Sequence, residues 1–192
     1  MEYLYLVIGA IFVNNIVLSK FLGICPFIGV SKNLDSAIGM GFAVTFVMAM
    51  SSIVTYVLNK YVLISLDITY LRTLMFILVI ASLVQFVEIV IHKFSPALYK
   101  ALGIYLPLIT TNCAILGIAQ INSIENLSFL KSLLNGFASG LGFTLALVLM
   151  AGVREKVELA KVPASFRGAP MAFILAGLMA LAFQGFAGLV PN

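Results

Sequence analysis

Six stretches of the chain run without a charged residue: 3–19, 36–59, 73–87, 101–124, 132–153 and 168–192. The hydrocarbon core of a bilayer is about 30 Å thick and needs about 20 apolar residues in helix. Four of the stretches reach that length unaided. The third reaches it if Glu88 and the apolar residues through Ile91 belong to the span, and the first is followed, after Lys20, by the apolar segment Phe21–Val30. The sequence therefore predicts six transmembrane helices. Runs of this length exclude a membrane barrel, whose strands alternate apolar and polar over about ten residues. Water is excluded as the main solvent as well. Hydrophobic residues make up 62% of the 192-residue chain and charged residues 9%, where a soluble domain carries about a quarter. That rules out a soluble enzyme, a disordered tail and a nucleic-acid binder, in spite of a pI of about 9.1.

The first segment opens Met1-Glu2 without a basic stretch and closes without a small-x-small cleavage site, so it reads as a retained helix. With six spans, Lys60, Arg72 and Lys131 fall on one side of the membrane. Lys20, Lys32, Lys93, Lys100, Arg154, Lys156, Lys161 and Arg167 fall on the other. Basic residues stay cytoplasmic, so both termini are expected outside the cytoplasm of a multi-pass cell-membrane protein. The longest loop, about Arg154–Arg167, is too short to fold as a domain.

The two halves share three features in the same order. Cys-x-x-x-Gly occurs at Cys25–Gly29 and Cys113–Gly117, Gly-x-Gly-Phe at Gly39–Phe42 and Gly140–Phe143, and a lone intramembrane glutamine at Gln85 and Gln184. The expected architecture is a single all-α integral membrane domain over 1–192, built as two three-helix repeats, about 1–96 and 97–192. Three is odd, so the second repeat is inverted relative to the first. Such repeats place their site near the midplane, on broken helices. Helices 1 and 4 carry the breaking residues: Asn14-Asn15, Ser19, Gly23 and Pro26 in one, Pro107 and Thr110-Thr111-Asn112 in the other. A straight helix from Tyr3 would carry Cys25 roughly 33 Å, to the far edge of the membrane. For Cys25 to match Cys113, the chain must break and turn back.

Cys25 and Cys113 are the only cysteines, one in each half. Three readings stand beside one another. They are small buried hydrophobes, a thiol-exchange pair, which lacks the usual Cys-x-x-Cys, or metal ligands. Iron–sulfur clusters take four thiolates in most cases, so the last reading demands a second chain. His92, the only histidine, stands at the end of helix 3 beside Lys93 and reads as interfacial.

The segments Lys20–Lys32 (KFLGICPFIGVSK), preceded by Asn14-Asn15, and Leu102–Ala114 (LGIYLPLITTNCA) closely resemble the A subunits of Rnf ion-translocating oxidoreductase complexes. Tyr70–Thr73, Val153–Lys156, Val162–Gly168 and Ala176–Phe183 fit as well, so the resemblance covers essentially the whole chain. The E subunit of the sodium-pumping NADH:quinone reductase is related and shares the Leu-Pro-Leu-Ile-x-x-Asn-Cys stretch. The Rnf E subunit is a paralogue of opposite topology, and the outward N-terminus favours the A type. The resemblance implies an electron-transfer component of a ferredoxin:NAD oxidoreductase that couples electron flow to sodium or proton translocation. It implies that Cys25 and Cys113 give half the ligands of a 2Fe-2S cluster shared with the E subunit. The B, C, D and G subunits would complete the complex, B and G as electron partners. No phosphate loop, dinucleotide fingerprint, serine triad or zinc spacing occurs, so neither ferredoxin nor NAD is expected to bind this chain, and no residue on it reads as catalytic alone.

An anionic cluster in low dielectric requires nearby dipoles, and backbone donors are expected from Pro26–Gly29 and Cys113–Gly117. Pairing reduction with cation movement would offset the added charge, which is a hypothesis for coupling. Glu88 is the one acid well inside a predicted span and reads as an interfacial residue near Lys93. Gln85 and Gln184 either line an ion path or bond between helices. Gly39, Gly41, Gly136, Gly140 and Gly142 read as close helix packing. The alternative function is a small secondary transporter or channel component without a redox centre.

Overall fold

The computed structural model describes residues 2–64, 69–94, 106–160, 162–163 and 166–186. Among the described residues every regular element is a helix. α1 (Glu2–Ile8) runs on as a π-helical segment, Gly9–Val13. After a non-helical passage, α2 spans Ile24–Val30 and α3 Leu34–Leu58, the latter prolonged by a π segment at Asn59–Leu63. α4 is Arg72–Phe94. The second half follows the same order: α5 (Leu106–Thr110), a break, α6 (Cys113–Ile124), the long α7 (Phe129–Glu158) and α8 (Ala169–Gln184). Among the described residues three helices are long and apolar enough to cross a membrane: Leu34–Leu63, Arg72–Val90 and Phe129–Glu158. Tyr3–Val13 and Ala169–Gln184 are shorter apolar helices. The third charge-free stretch does extend through Glu88, as its apolar flank requires.

α3 and α7 form the spine. Gly140 stands so close to α3 that a Cβ there would lie 2.7 Å from the Thr45 Cα, and a Cβ on Gly41 would lie 2.5 Å from the Thr144 Cγ2. Small residues permit that approach where lipid offers helices no hydrophobic reason to associate. The contact is reciprocal. Thr45 donates to the Gly41 carbonyl at 2.8 Å and Thr144 to the Gly140 carbonyl at 2.9 Å, and the two hydroxyls meet at 3.1 Å. Thr45 and Thr144 are 99 residues apart, the same separation as Gln85 and Gln184. The Gly-x-Gly-Phe matches stand 101 residues apart and the two cysteines 88.

Around the spine a buried cluster gathers Phe27, Met40, Val44 and Phe76 from the first half with Ile115, Phe143 and Leu147 from the second. α4 buries a narrow stripe of Phe76, Ile80 and Val84, while Leu78 and Phe86 stay 63% and 65% exposed. An outward face of that size and apolarity suits lipid or another membrane protein, not water.

Both predicted breaks occur, but not at the prolines. The first covers Asn14–Gly23 and the second Thr111–Asn112. Pro26 lies in the first turn of α2, where a missing N–H costs no intrahelical bond, and Pro107 lies within α5, before the second break. Lys20, expected in a cytoplasmic loop, lies within the first break. Seven basic residues then remain against three in the orientation argument, which keeps its direction.

Candidate functional site

The breaks require partners for backbone groups that lose the helical ladder, and asparagines supply them. Asn15, fully buried, donates from Nδ2 to the carbonyls of Ile11 at 3.0 Å and Gly142 at 2.8 Å. Its Oδ1 accepts from Val17 N–H at 3.1 Å and Leu18 N–H at 3.4 Å. Asn112 caps α6 by accepting from the Ala114 N–H at 3.0 Å, and Thr111 returns a bond to the Pro107 carbonyl at 3.1 Å. These are the Asn and Thr side chains that the sequence offers for the purpose.

The first break passes through the left-handed region at Phe21 (φ 55°) and Gly23 (φ 79°). Asn15 before it bonds Gly142 and Ser31 beyond it bonds Arg154, so the chain goes on along α7 and breaks without the expected turn back. Gly23 is walled in. A Cβ there would meet the Phe143 ring at 2.8 Å, the Ala114 Cβ at 3.0 Å and the Asn112 Oδ1 at 3.1 Å. Its N–H donates to Cys113 Sγ at 2.9 Å. Cys25 follows two residues later in the first turn of α2, and Cys113 is the first residue of α6. Both thiols are free and exposed. The glycines of the two Cys-x-x-x-Gly motifs each face a leucine from the opposite half. A Cβ on Gly117 would lie 2.5 Å from the Leu22 Cδ1, and one on Gly29 would lie 3.8 Å from the Leu108 Cδ1.

Here the two halves meet, and the chemistry of the donors is specific. One sulfur already accepts a backbone N–H, and Asn112 Nδ2, adjacent in sequence to Cys113, is buried without a partner. Among the described residues no group of three or more His, Cys, Asp and Glu side chains converges on a common point. Cys25 and Cys113 are free, exposed thiols, the donor type that holds iron–sulfur clusters. The donors differ from the expectation, however. Gly23 lies outside Pro26–Gly29, and the Ala114 N–H is taken by its own N-cap.

Compared with known proteins, the sequence matches the family described as Rnf-Nqr subunit, membrane protein, over residues 3–190. The chain belongs to the Rnf-Nqr family. Among its relatives described as the A subunit of an ion-translocating oxidoreductase complex, the protein of Azoarcus sp. (strain BH72) is 60% identical over 191 residues, covering 100% of this chain and 99% of its own. Those of Vibrio cholerae (strain N16961) and Serratia proteamaculans (strain 568) are each 59% identical over 189 residues, covering 98% of both chains. The resemblance read from 20–32 and 102–114 holds.

Other candidates stand apart from the cysteines in this Rnf-Nqr chain. Gln85 is exposed on α4, where its Nε2 reaches the half-buried Glu88 at 3.5 Å. Gln184 lines a separate cavity with Val13, Asn14 and Asn15. His92 and Lys93 are exposed at the end of α4. The charge pattern reads Arg154 as a membrane anchor, yet it is 8% exposed. Its Nη1 donates to the Ile28 carbonyl at 2.7 Å and to Ser31 Oγ at 2.9 Å. It thereby caps the C-terminal end of the helix that carries Cys25, where a cation suits the dipole. No local pattern in the sequence distinguishes it from its neighbours Lys156 and Arg167.

Proposed function

We propose that this chain is the membrane electron-transfer component of an ion-translocating ferredoxin:NAD oxidoreductase complex, in which Cys25 and Cys113 supply two of the four thiolates of a 2Fe-2S cluster. The other two come from a paralogous membrane protein, the E subunit. The B, C, D and G subunits complete the assembly. The observation that carries this reading is the Gly23 N–H on Cys113 Sγ, between two free, exposed cysteines at the two helix breaks. Relatives at 58–60% identity, described as the A subunits of such ion-translocating complexes, support it.

A 2Fe-2S cluster supplies one-electron carriage without moving a proton. This chain's residues hold the sulfurs on fixed half-helices, donate a hydrogen bond to one of them, and fix the α2 end through Arg154. The six spans are read as two inverted repeats, a reading supported by the repeated element order and the reciprocal Thr45–Thr144 contact. Both termini lie outside the cytoplasm on the charge argument. Electron transfer is coupled to sodium or proton movement, because negative charge added in low dielectric draws a compensating cation.

The test is ferredoxin-dependent NAD reduction in membrane vesicles carrying Cys25→Ala or Cys113→Ala. Each substitution is expected to abolish it while the complex remains assembled. Normal rates with both cysteines replaced would leave the transporter or channel reading.

A further inference from the structure

Away from the cysteines, α3, α6 and α7 line an open cavity of about 270 Å³. Thr55 and Asn59 line it from the end of α3 and its π segment, Asn122 and Ser123 from the last turn of α6, and Ser132 from the first turn of α7. Three of these residues carry buried atoms without a hydrogen-bond partner: Asn59 Oδ1, Ser123 Oγ and Ser132 Oγ. All three residues are more than nine-tenths buried, at 8%, 8% and 1% exposed. Unpaired buried polar atoms are rare. Three on the wall of one cavity are a set.

Their chemistry limits the occupant. Asn59 Oδ1 is only an acceptor, so an anion does not fit. Divalent cations call for carboxylates, and among the described residues no Asp or Glu lines the cavity. What remains is a donor or a monovalent cation. α6 ends here, turned off by Asn126 (φ 48°) and the Leu127 N–H to Asn122 carbonyl bond of 3.2 Å. A helix C-terminus carries partial negative charge, and such ends with hydroxyl and carbonyl oxygens bind sodium in other membrane proteins. Asn122 is itself held in place: its Oδ1 accepts from Asn135 at 2.6 Å and its Nδ2 donates to the Ser132 carbonyl at 3.3 Å. The π turn that presents Asn59 is a feature frequent at functional sites. At the rim the exposed Lys60 ammonium lies 5.8 Å from the centre of the Tyr56 ring, a positive charge that keeps affinity for a cation low.

We infer that this cavity is a binding site for a monovalent alkali cation, coordinated by Asn59 Oδ1, Ser123 Oγ and Ser132 Oγ. As a station on an ion route it rests on the ion-translocating reading above; as a binding site it does not.

The test uses the complex purified through a tag on this chain, with NaCl exchanged for choline chloride at constant ionic strength. Saturable 22Na binding and the sodium-dependent rise in melting temperature are read for the wild type and for the double variant Ser123→Ala, Ser132→Ala. Neither hydroxyl has a partner to lose, so the variant is expected to melt in choline at or above the wild-type temperature. Its sodium affinity is expected to fall tenfold or more, and Lys60→Gln is expected to tighten binding. Unchanged sodium dependence in the double variant overturns the site, and so does a variant that melts lower in choline but binds sodium as before. Lost binding with undiminished redox-driven sodium uptake overturns the station. Normal electron transfer without the cysteines overturns the proposed function alone and leaves the binding result standing.

Discussion

The backbone N–H of Gly23 donates to Cys113 Sγ at 2.9 Å, joining residues 90 positions apart. This bond places the end of the first helix break on the start of α6. It also ties the cysteine of the second half to a backbone held in a conformation that only glycine adopts without strain.

Gly23→Ala tests that tie. The left-handed φ and the contacts with Phe143 and Ala114 act together. They are expected to cost about 2–4 kcal/mol, from adverse backbone conformation and overpacking. A lower melting temperature and a loss of iron per complex are the expected readouts.

The spine makes a sharper comparison. Gly140→Ala drives a Cβ toward the Thr45 backbone, whereas a Cβ on Gly152 meets nothing within 4 Å. Gly140→Ala is expected to destabilise by about 1–3 kcal/mol. Gly152→Ala is expected to be neutral or to stabilise by up to about 1 kcal/mol through helix propensity. Melting of the two variants side by side checks both signs.

Arg154→Ala removes charged hydrogen bonds to Ile28 and Ser31. A cost of about 1.5–3 kcal/mol is expected, concentrated at the end of α2. Hydrogen exchange of the 24–31 amides should accelerate more than that of α3.

Cys25 and Cys113 are exposed and free in the isolated chain. Both are expected to react with a membrane-permeant maleimide when the chain is expressed alone. Both are expected to be protected in the assembled complex, as mass spectrometry of labelled peptides would report.

The breaks were legible in the sequence because Asn15, Asn112 and Gly23 are the residue types that satisfy or bend a backbone leaving a helix. Pro26 misled as to position, since a proline favours a first turn as readily as a kink. Gln85 and Gln184 share the 99-residue separation of the Thr45–Thr144 contact, whereas the cysteines at 88 and Gly-x-Gly-Phe at 101 do not. The cavity was not legible at all. Asn59, Ser123 and Ser132 are each ordinary in a membrane helix, and only their convergence from three helices gives them meaning. Arg154 was hidden for the same reason: its partners are 123 and 126 residues away.

The central claim is that two cysteines of this chain hold half of a shared cluster. Its most direct measurement is electron paramagnetic resonance of the reduced, purified complex, with iron and acid-labile sulfide counted in the same samples. A 2Fe-2S signal present in the wild type and missing, with two irons, from both Cys25→Ala and Cys113→Ala is the expected result. The same signal and iron content in either variant would contradict it.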